Sequence, residues 1–577
     1  MTLVASPLCR SSHSTAYSSM KKNPSLHTEN DGRPNQHEAI LLERAHAANA
    51  ADHALTWWKA IFKYRKAVFW ACIFSFTLTM QSADATSTTS FYGQTQFKER
   101  FGTVDNGVLE ISAEWQTGIQ QAMAVGELIG LAVAGFMADR FGWKPILSSM
   151  MVWLTGSLFL FAFAQNLGMM VAAMVLCGIP WGAFQTGCIA YSSEMVPTCL
   201  RPFVTAWIGI CWGLGFFIGS LVNRGCLNLI GQWAWRVPFL VQFVWPLPLL
   251  ICFLLAPESP YYLVRKGRYE DARTTLRRIR QKDITDEEIE QSIALIDYTN
   301  KMEVQIKESS SYAECFRGKN RWRTEIIAQT WGGNGINVQT VQFLEQAGLS
   351  EQGAFDLNLI LNSQYLTFGL FCIWLMTKLG RATIFTTGLI LSDVFLFAIG
   401  ILGCVKQSTA VSNAVGSLLL VSTVIYISTV APSSYTIIVS RADTHSGTSV
   451  DVKQGEVPSS KLRAKMVSLA RVAFNVSSLI SNVLLPKMLT GGSWNLGAKT
   501  AFMFAGTNAL IWIWCIFRLP ETKDRTFREI DYLFEESGLH PRQWRTARID
   551  VFDDDNNGPS LVKGDKEKEF QHVENAL

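Results

Sequence analysis

The chain has 577 residues, 49% of them hydrophobic and only 17% charged, with a formal net charge of +4. Soluble domains carry about 25% charged residues, so this composition excludes an ordinary soluble domain, and so small a net charge gives no basis for a nucleic-acid partner. The 12 cysteines are scattered, with no CxxC pairs. They read as small apolar packers and not as a metal cluster or a disulfide framework.

Residues 1–64 are polar and rich in His, Asn and Ser. They are expected to be a disordered cytosolic tail, and they contain no long apolar core of the kind a cleavable signal peptide has. Apolar runs follow, each of roughly 18–25 residues, the length that crosses ~30 Å of hydrocarbon as a helix. The expected spans are 67–92, 114–138, 146–164, 169–190, 203–223 and 236–256, then 326–343, 355–376, 382–403, 415–439, 466–486 and 499–518. The expected fold is therefore all-α and membrane-spanning, with twelve helices in two six-helix bundles, 65–256 and 325–520. A cytosolic central loop with short helices (257–324) joins the bundles, and 521–577 form a C-terminal tail. The even number of spans puts both tails on one face.

That face is set by basic residues. Loop 257–324 holds 14 Lys and Arg, whereas loop 93–113 on the opposite face has only Lys98 and Arg100. By the positive-inside rule the central loop and both tails are cytosolic. Two charged turns, GFMADRFGWKP (Gly135–Pro145) and KLGR (Lys378–Arg381), occupy matching places in the two halves, so the halves share one architecture. Membrane proteins built from such repeats are mostly transporters with a central site. A polar insert, 441–454, follows the tenth span.

Two clusters inside the spans carry chemistry. The first span ends in MQSADATSTTSFYG, dense in Ser and Thr around one acid, Asp84. A helix of that kind cannot face lipid, and it is expected to line a water-filled path. Glu127, in AVGELIG of the second span, is another intramembrane acid, and Arg471 of the eleventh is a candidate partner for it or for a neighbour. The seventh span carries AQTWGGN, whose Gln329 and Asn334 offer paired donors and acceptors for the hydroxyls of a ligand. Trp212, Tyr435 and Asn475 are further candidates for a site that needs aromatic faces and amides.

The charged punctuation resembles that of the major facilitator superfamily, and within it the sugar porters. GFMADRFGWKP is similar to G-x-x-x-D-R-x-G-R-R. YSSEMVPTCLR is similar to E-x-x-P-x-x-x-R, WRVPF with PESPYYLVRKGR to W-R-x-P-F and P-E-S-P-R-x-L-x-x-K-G-R, and PETKDRTFREID to P-E-T-K-G-R-T-x-E-E-I-D. The resemblance covers about residues 67–535, and CGIPWGAFQ, FLEQAGLS, SLARVAFNV and WNLGAKTAFMFAG resemble the fungal α-glucoside (maltose-type) permeases.

The resemblance implies gates of paired charges at helix ends: Asp139, Arg140, Glu194, Arg201, Glu258 and Arg268 in the first half, and Arg381, Glu456, Arg463, Glu521 and Arg525 in the second. Thr377 stands where the second half would carry its acid, so that gate should hold less firmly. The resemblance also implies substrate binding by Gln329, Asn334, Tyr435, Asn475 and Trp212, and proton coupling through Asp84, with Glu127 as a second acid. Bacterial proton-coupled sugar porters pair the first-helix acid with an Arg on the fourth span, where this chain has Met174.

The expected protein is thus a monomeric, multi-pass importer of a sugar, such as maltose, together with protons, through alternating access in a fungal plasma membrane. It would need no cofactor or metal, bind no nucleic acid and catalyse no bond chemistry. A sugar uniporter or hexose facilitator and a non-transporting sugar sensor are the alternatives.

Overall fold

The computed structural model describes residues 57–105, 107–197, 200–280, 285–308, 311–318, 320–328, 335–406, 408–430 and 462–521, together with Arg44 and short pieces within 530–561. Helix occupies each of the twelve expected spans over these residues. The first half contains α1 (Arg65–Ser90), a short α2 (Thr95–Phe101), α3 (Ala113–Phe141), α4 (Trp143–Ala162), α5 (Leu167–Met195), α6 (Arg201–Cys226) and α7 (Trp233–Leu255). Short helices α8 (Pro260–Arg265), α9 (Tyr269–Ile279) and α10 (Asp286–Glu308) make up the central loop. The second half contains α11 (Asn320–Ala328), α12 (Thr340–Gln346), α13 (Glu351–Lys378), α14 (Arg381–Leu402), α15 (Thr409–Ile425), α16 (Arg463–Leu489) and α17 (Thr500–Arg518). Eight of the described helices are long and apolar enough to cross a bilayer. The seventh span is not among them; its described parts are α11, a 3-10 turn at Gly335–Gln339 and α12.

Helix ends follow local chemistry. Asn166, Ser350 and Ser408 accept backbone N–H groups of the first turns of α5, α13 and α15, at 2.8, 3.3 and 3.4 Å. The turn from α3 to α4 passes through Gly142 at φ 88°, where a Cβ would also strike the carboxyl of Glu258. Within α7, Gln242–Val244 form a single 3-10 turn before Pro246. Proline has no N–H to continue the ladder, so the helix is interrupted at that point.

The closest helix pair is α3 with α5. A Cβ on Gly130 would strike the Ile179 carbonyl, and one on Gly182 would strike the Glu127 carbonyl. Backbone therefore meets backbone along this seam, the close approach that small residues permit between membrane helices. Each half has its own buried apolar cores, one pair built around Phe74, Trp181 and Trp235, the other around Phe343, Leu389 and Tyr426. The halves are two lobes that touch along α6 with α13 and along α3 with α16.

The two faces of the molecule differ. On the face carrying α8–α10, acids close back on their own lobe. On the far face a small hairpin, β1 (Thr103–Asp105) with β2 (Val108–Glu110), turns at Gly107, whose φ is 81°. The hairpin points Glu110 into the second lobe, where the carboxylate accepts from the Gly491 N–H (2.7 Å) and from Gln346 Nε2 (2.6 Å). Lys98 of α2 pairs with Glu345 at 2.7 Å, Arg224 of α6 with Asp356 at 2.5 Å, and Thr95 with Glu351. Among the described residues, every hydrogen bond and ion pair recorded between the lobes lies in the far half of the molecule. The lobes are thus joined at the far face.

Candidate functional site: a buried polar centre between the lobes

Asp84 lies on α1 and is 1% exposed. Its Oδ1 accepts a hydrogen bond from Gln242 Nε2 at 2.9 Å. One turn earlier, Gln81 Nε2 donates to Glu127 Oε1 at 3.0 Å, joining α1 to α3. The seam at Gly182 brings α5 against the backbone of Glu127, which fixes where that carboxyl starts. The hydroxyls around Asp84 are used differently from the sequence expectation. Ser82, Thr86, Ser87, Thr88 and Ser90 each donate to a carbonyl four residues back, at 2.7–3.1 Å. Their hydroxyls are bonded within α1, which packs against α5 and α6.

Trp212 on α6 leads an aromatic series into the second lobe. Its ring centroid is 5.8 Å from that of Phe216, which is 5.4 Å from that of Tyr365 on α13. Nearby, Asn362 and Asn358 of α13 donate to Ser220 Oγ at 2.6 and 3.4 Å. Gln339 Nε2 reaches Gln116 Oε1 at 3.3 Å, and Gln121 donates to the Leu479 carbonyl at 2.8 Å. Aromatic rings and amides therefore do converge between the lobes. Asn475 is half-buried on α16. Gln329, Asn334, Tyr435, Glu456 and Arg525 lie outside the described residues, as do the side chains of Arg201, Arg381, Arg463 and Arg471.

On the face carrying α8–α10, the partners differ from those the spacing suggested. Glu194 is held by the Ser259 hydroxyl and by Arg265, at 3.7 Å from the guanidinium. Arg265 also reaches Asp139 at 3.2 Å, while Arg140 sits over the Phe141 ring at 5.5 Å. Arg268 turns to Asp271 at 2.7 Å and does not reach Glu258. Glu258 instead accepts the Lys144 N–H at 3.4 Å, and burial raises its carboxyl above the ordinary glutamate range. Glu521 does the equivalent in the second lobe, accepting from the N–H groups of Ala382 and Thr383, both at 3.3 Å. A carboxylate thus caps the start of the third helix of each lobe, α4 and α14.

Sequence reading missed Gln242, Gln81, Tyr365 and Arg265. The two glutamines were visible as lone amides in apolar runs. Tyr365 and Arg265 gave no signal, because only the fold brings them to their partners.

Two pseudo-equivalent helical lobes around a polar centre define a major facilitator carrier. Solved structures agree on the fold. The chain is similar to the proton:xylose symporter XylE bound to 6-bromo-6-deoxy-D-glucose (TM-score 0.60, 18% identity, 82% of this chain and 100% of that one). It is also similar to the xylose transporter XylE from E. coli in a partially occluded inward-open conformation (TM-score 0.59, 18% identity, 80% and 99%). The model of the family described as sugar (and other) transporter matches residues 70–534, and this chain belongs to that family. Among curated proteins it is 33% identical to a general alpha-glucoside permease of Saccharomyces cerevisiae, across 89% of this chain and 82% of that protein. It is 32% identical to maltose permease MAL61 of the same species over the same shares. The protein is a multi-pass membrane transporter and not an enzyme.

Proposed function

We propose that the protein imports an α-glucoside such as maltose by proton symport, through alternating access across a plasma membrane that its twelve helices span. Both tails and α8–α10 face the cytosol. The observation that carries the symport reading is Asp84. This carboxyl is fully enclosed within the first lobe, where removing the charge by protonation relieves a desolvation penalty. The similarity to alpha-glucoside and maltose permeases supports the sugar class. With this orientation the joined far face is the outer one. The Trp212–Phe216–Tyr365 series supplies flat apolar faces for a sugar ring, and Gln329, Asn334, Tyr435 and Asn475 are assigned to its hydroxyls. The carrier acts as a monomer.

Uptake of labelled maltose, sucrose and glucose in a transporter-deficient yeast tests the reading. Maltose should accumulate against its gradient and a protonophore should abolish the accumulation. Asp84→Asn should lose uphill accumulation yet retain downhill exchange. Protonophore-insensitive accumulation, or an Asp84→Asn variant that still concentrates sugar, overturns the symport reading.

A further inference from the structure

We propose that Gln242 is the positioning residue that serves Asp84 in both of its protonation states. The inference rests on the coupling role of Asp84 and assigns it a partner. Met174 is buried where a fourth-span cation would stand. Among the described residues no cation pairs with the Asp84 carboxylate; its neighbours are the Gln242 amide, the Trp181 indole and the Cys177 thiol.

An amide differs from a guanidinium in one decisive way. Arg has donors only and satisfies only the ionised acid, whereas a primary amide carries both donors and an acceptor. In the structure Gln242 Nε2 donates to Asp84 Oδ1, while Gln242 Oε1 is buried with no hydrogen-bond partner. A buried acceptor without a partner is costly, and its retention calls for an explanation. It has a function if Asp84 takes up a proton. The new carboxyl O–H then donates to Gln242 Oε1 once the amide turns over, and the proton leaves by the reverse of that step. The turn gives up the Nε2–H···Oδ1 hydrogen bond, and no covalent bond other than the carboxyl O–H is made or broken. The location permits the turn, since Gln242 opens the 3-10 turn at which α7 is interrupted before Pro246.

The test uses the full-length transporter in proteoliposomes. Gln242→Met keeps the length of the side chain and removes both donor and acceptor. Uphill maltose accumulation should fall about tenfold, the size of one hydrogen bond to a charged group, while maltose exchange without a proton gradient stays within about twofold. A second measurement needs no variant to fold well. Infrared difference spectra of the parent between acid and alkaline pH, with glutamine side chains isotope-labelled, should show a labelled amide band moving together with a carboxyl band. Both should vanish in Asp84→Asn. Undiminished accumulation in Gln242→Met, or a carboxyl band with no accompanying amide change, overturns the assignment of Gln242 and leaves the role of Asp84 standing. Uphill accumulation by Asp84→Asn would instead remove the coupling reading itself.

Discussion

The two faces of the molecule use acidic side chains in opposite ways. On the α8–α10 face, Glu258 and Glu521 cap α4 and α14 within their own lobes, and Glu194 and Asp139 share Arg265 of the first lobe. On the far face, Glu110, Glu345, Glu351 and Asp356 all bridge from one lobe to the other. The first set makes each lobe a unit; the second decides whether the units touch. The difference shows which contacts must break in a transport cycle and which must not.

The comparison is most directly broken by a covalent link. Cysteines placed at Lys98 and Glu345, in a background with the exposed Cys404 replaced by Ser, should join the lobes on oxidation. Transport should drop more than about tenfold and return with reductant, since alternating access requires the far face to open. If oxidised protein transports normally, the far face is not a gate.

Removing one partner should be milder. Lys98→Met leaves Glu345 facing Glu110 and Glu351 without its cation. Breaking a buried pair costs about 3–5 kcal/mol, and less here because both groups keep some contact with water. Labelling of a cysteine at Gln116, buried in the far-half seam, by a membrane-impermeant maleimide should rise about fivefold, equivalent to about 1 kcal/mol of the closed state.

The α8–α10 face should respond differently. Glu258→Gln and Glu521→Gln each weaken a cap worth about 1 kcal/mol. Thermal stability should fall modestly in both, with maleimide labelling at the far face unchanged. A labelling change comparable to that of Lys98→Met would erase the distinction between the faces.

The smallest expected effect is of pH. Burial, only partly offset by Lys98, pushes the Glu345 carboxyl up to about 7 from the ordinary glutamate range. In an open far face the group meets water and returns toward its ordinary value. Closing therefore takes up a proton. The resulting preference for the closed state is fully present below the ordinary glutamate range and is lost as pH rises through about 7. Far-face labelling, normalised to a permanently exposed reference cysteine to remove the pH dependence of the thiolate itself, should increase about twofold from pH 5 to pH 8 and be flat in Glu345→Gln.

Much of this architecture was legible in the sequence, for identifiable reasons. An apolar run long enough to cross a bilayer is a strong one-dimensional signal, and among the described residues helix lies within each span it marked. Asp84 stood out because a lone acid in an apolar helix is expensive wherever it points. The hydroxyls beside it misled, because Ser and Thr can bond to their own helix as readily as to water, and composition cannot tell these apart. The pairings at helix ends were harder still. Arg265 meets both Glu194 and Asp139 while Arg268 turns to Asp271, a choice made by how α8 folds back under the lobe. Of the five residues proposed for sugar contact, Trp212 reaches the inter-lobe aromatic series and Asn475 is half-buried on α16. Gln329, Asn334 and Tyr435 lie outside the described residues.

The glycine seam between α3 and α5 has a mechanical consequence. Two helices whose main chains interlock cannot slide past each other without lifting carbonyls over alpha carbons. Any rearrangement that exposes the centre must therefore carry α3 and α5 as one stiff lever, with Glu127 as cargo, and confine the pivoting to the surfaces between the lobes, where α6 meets α13 and α3 meets α16.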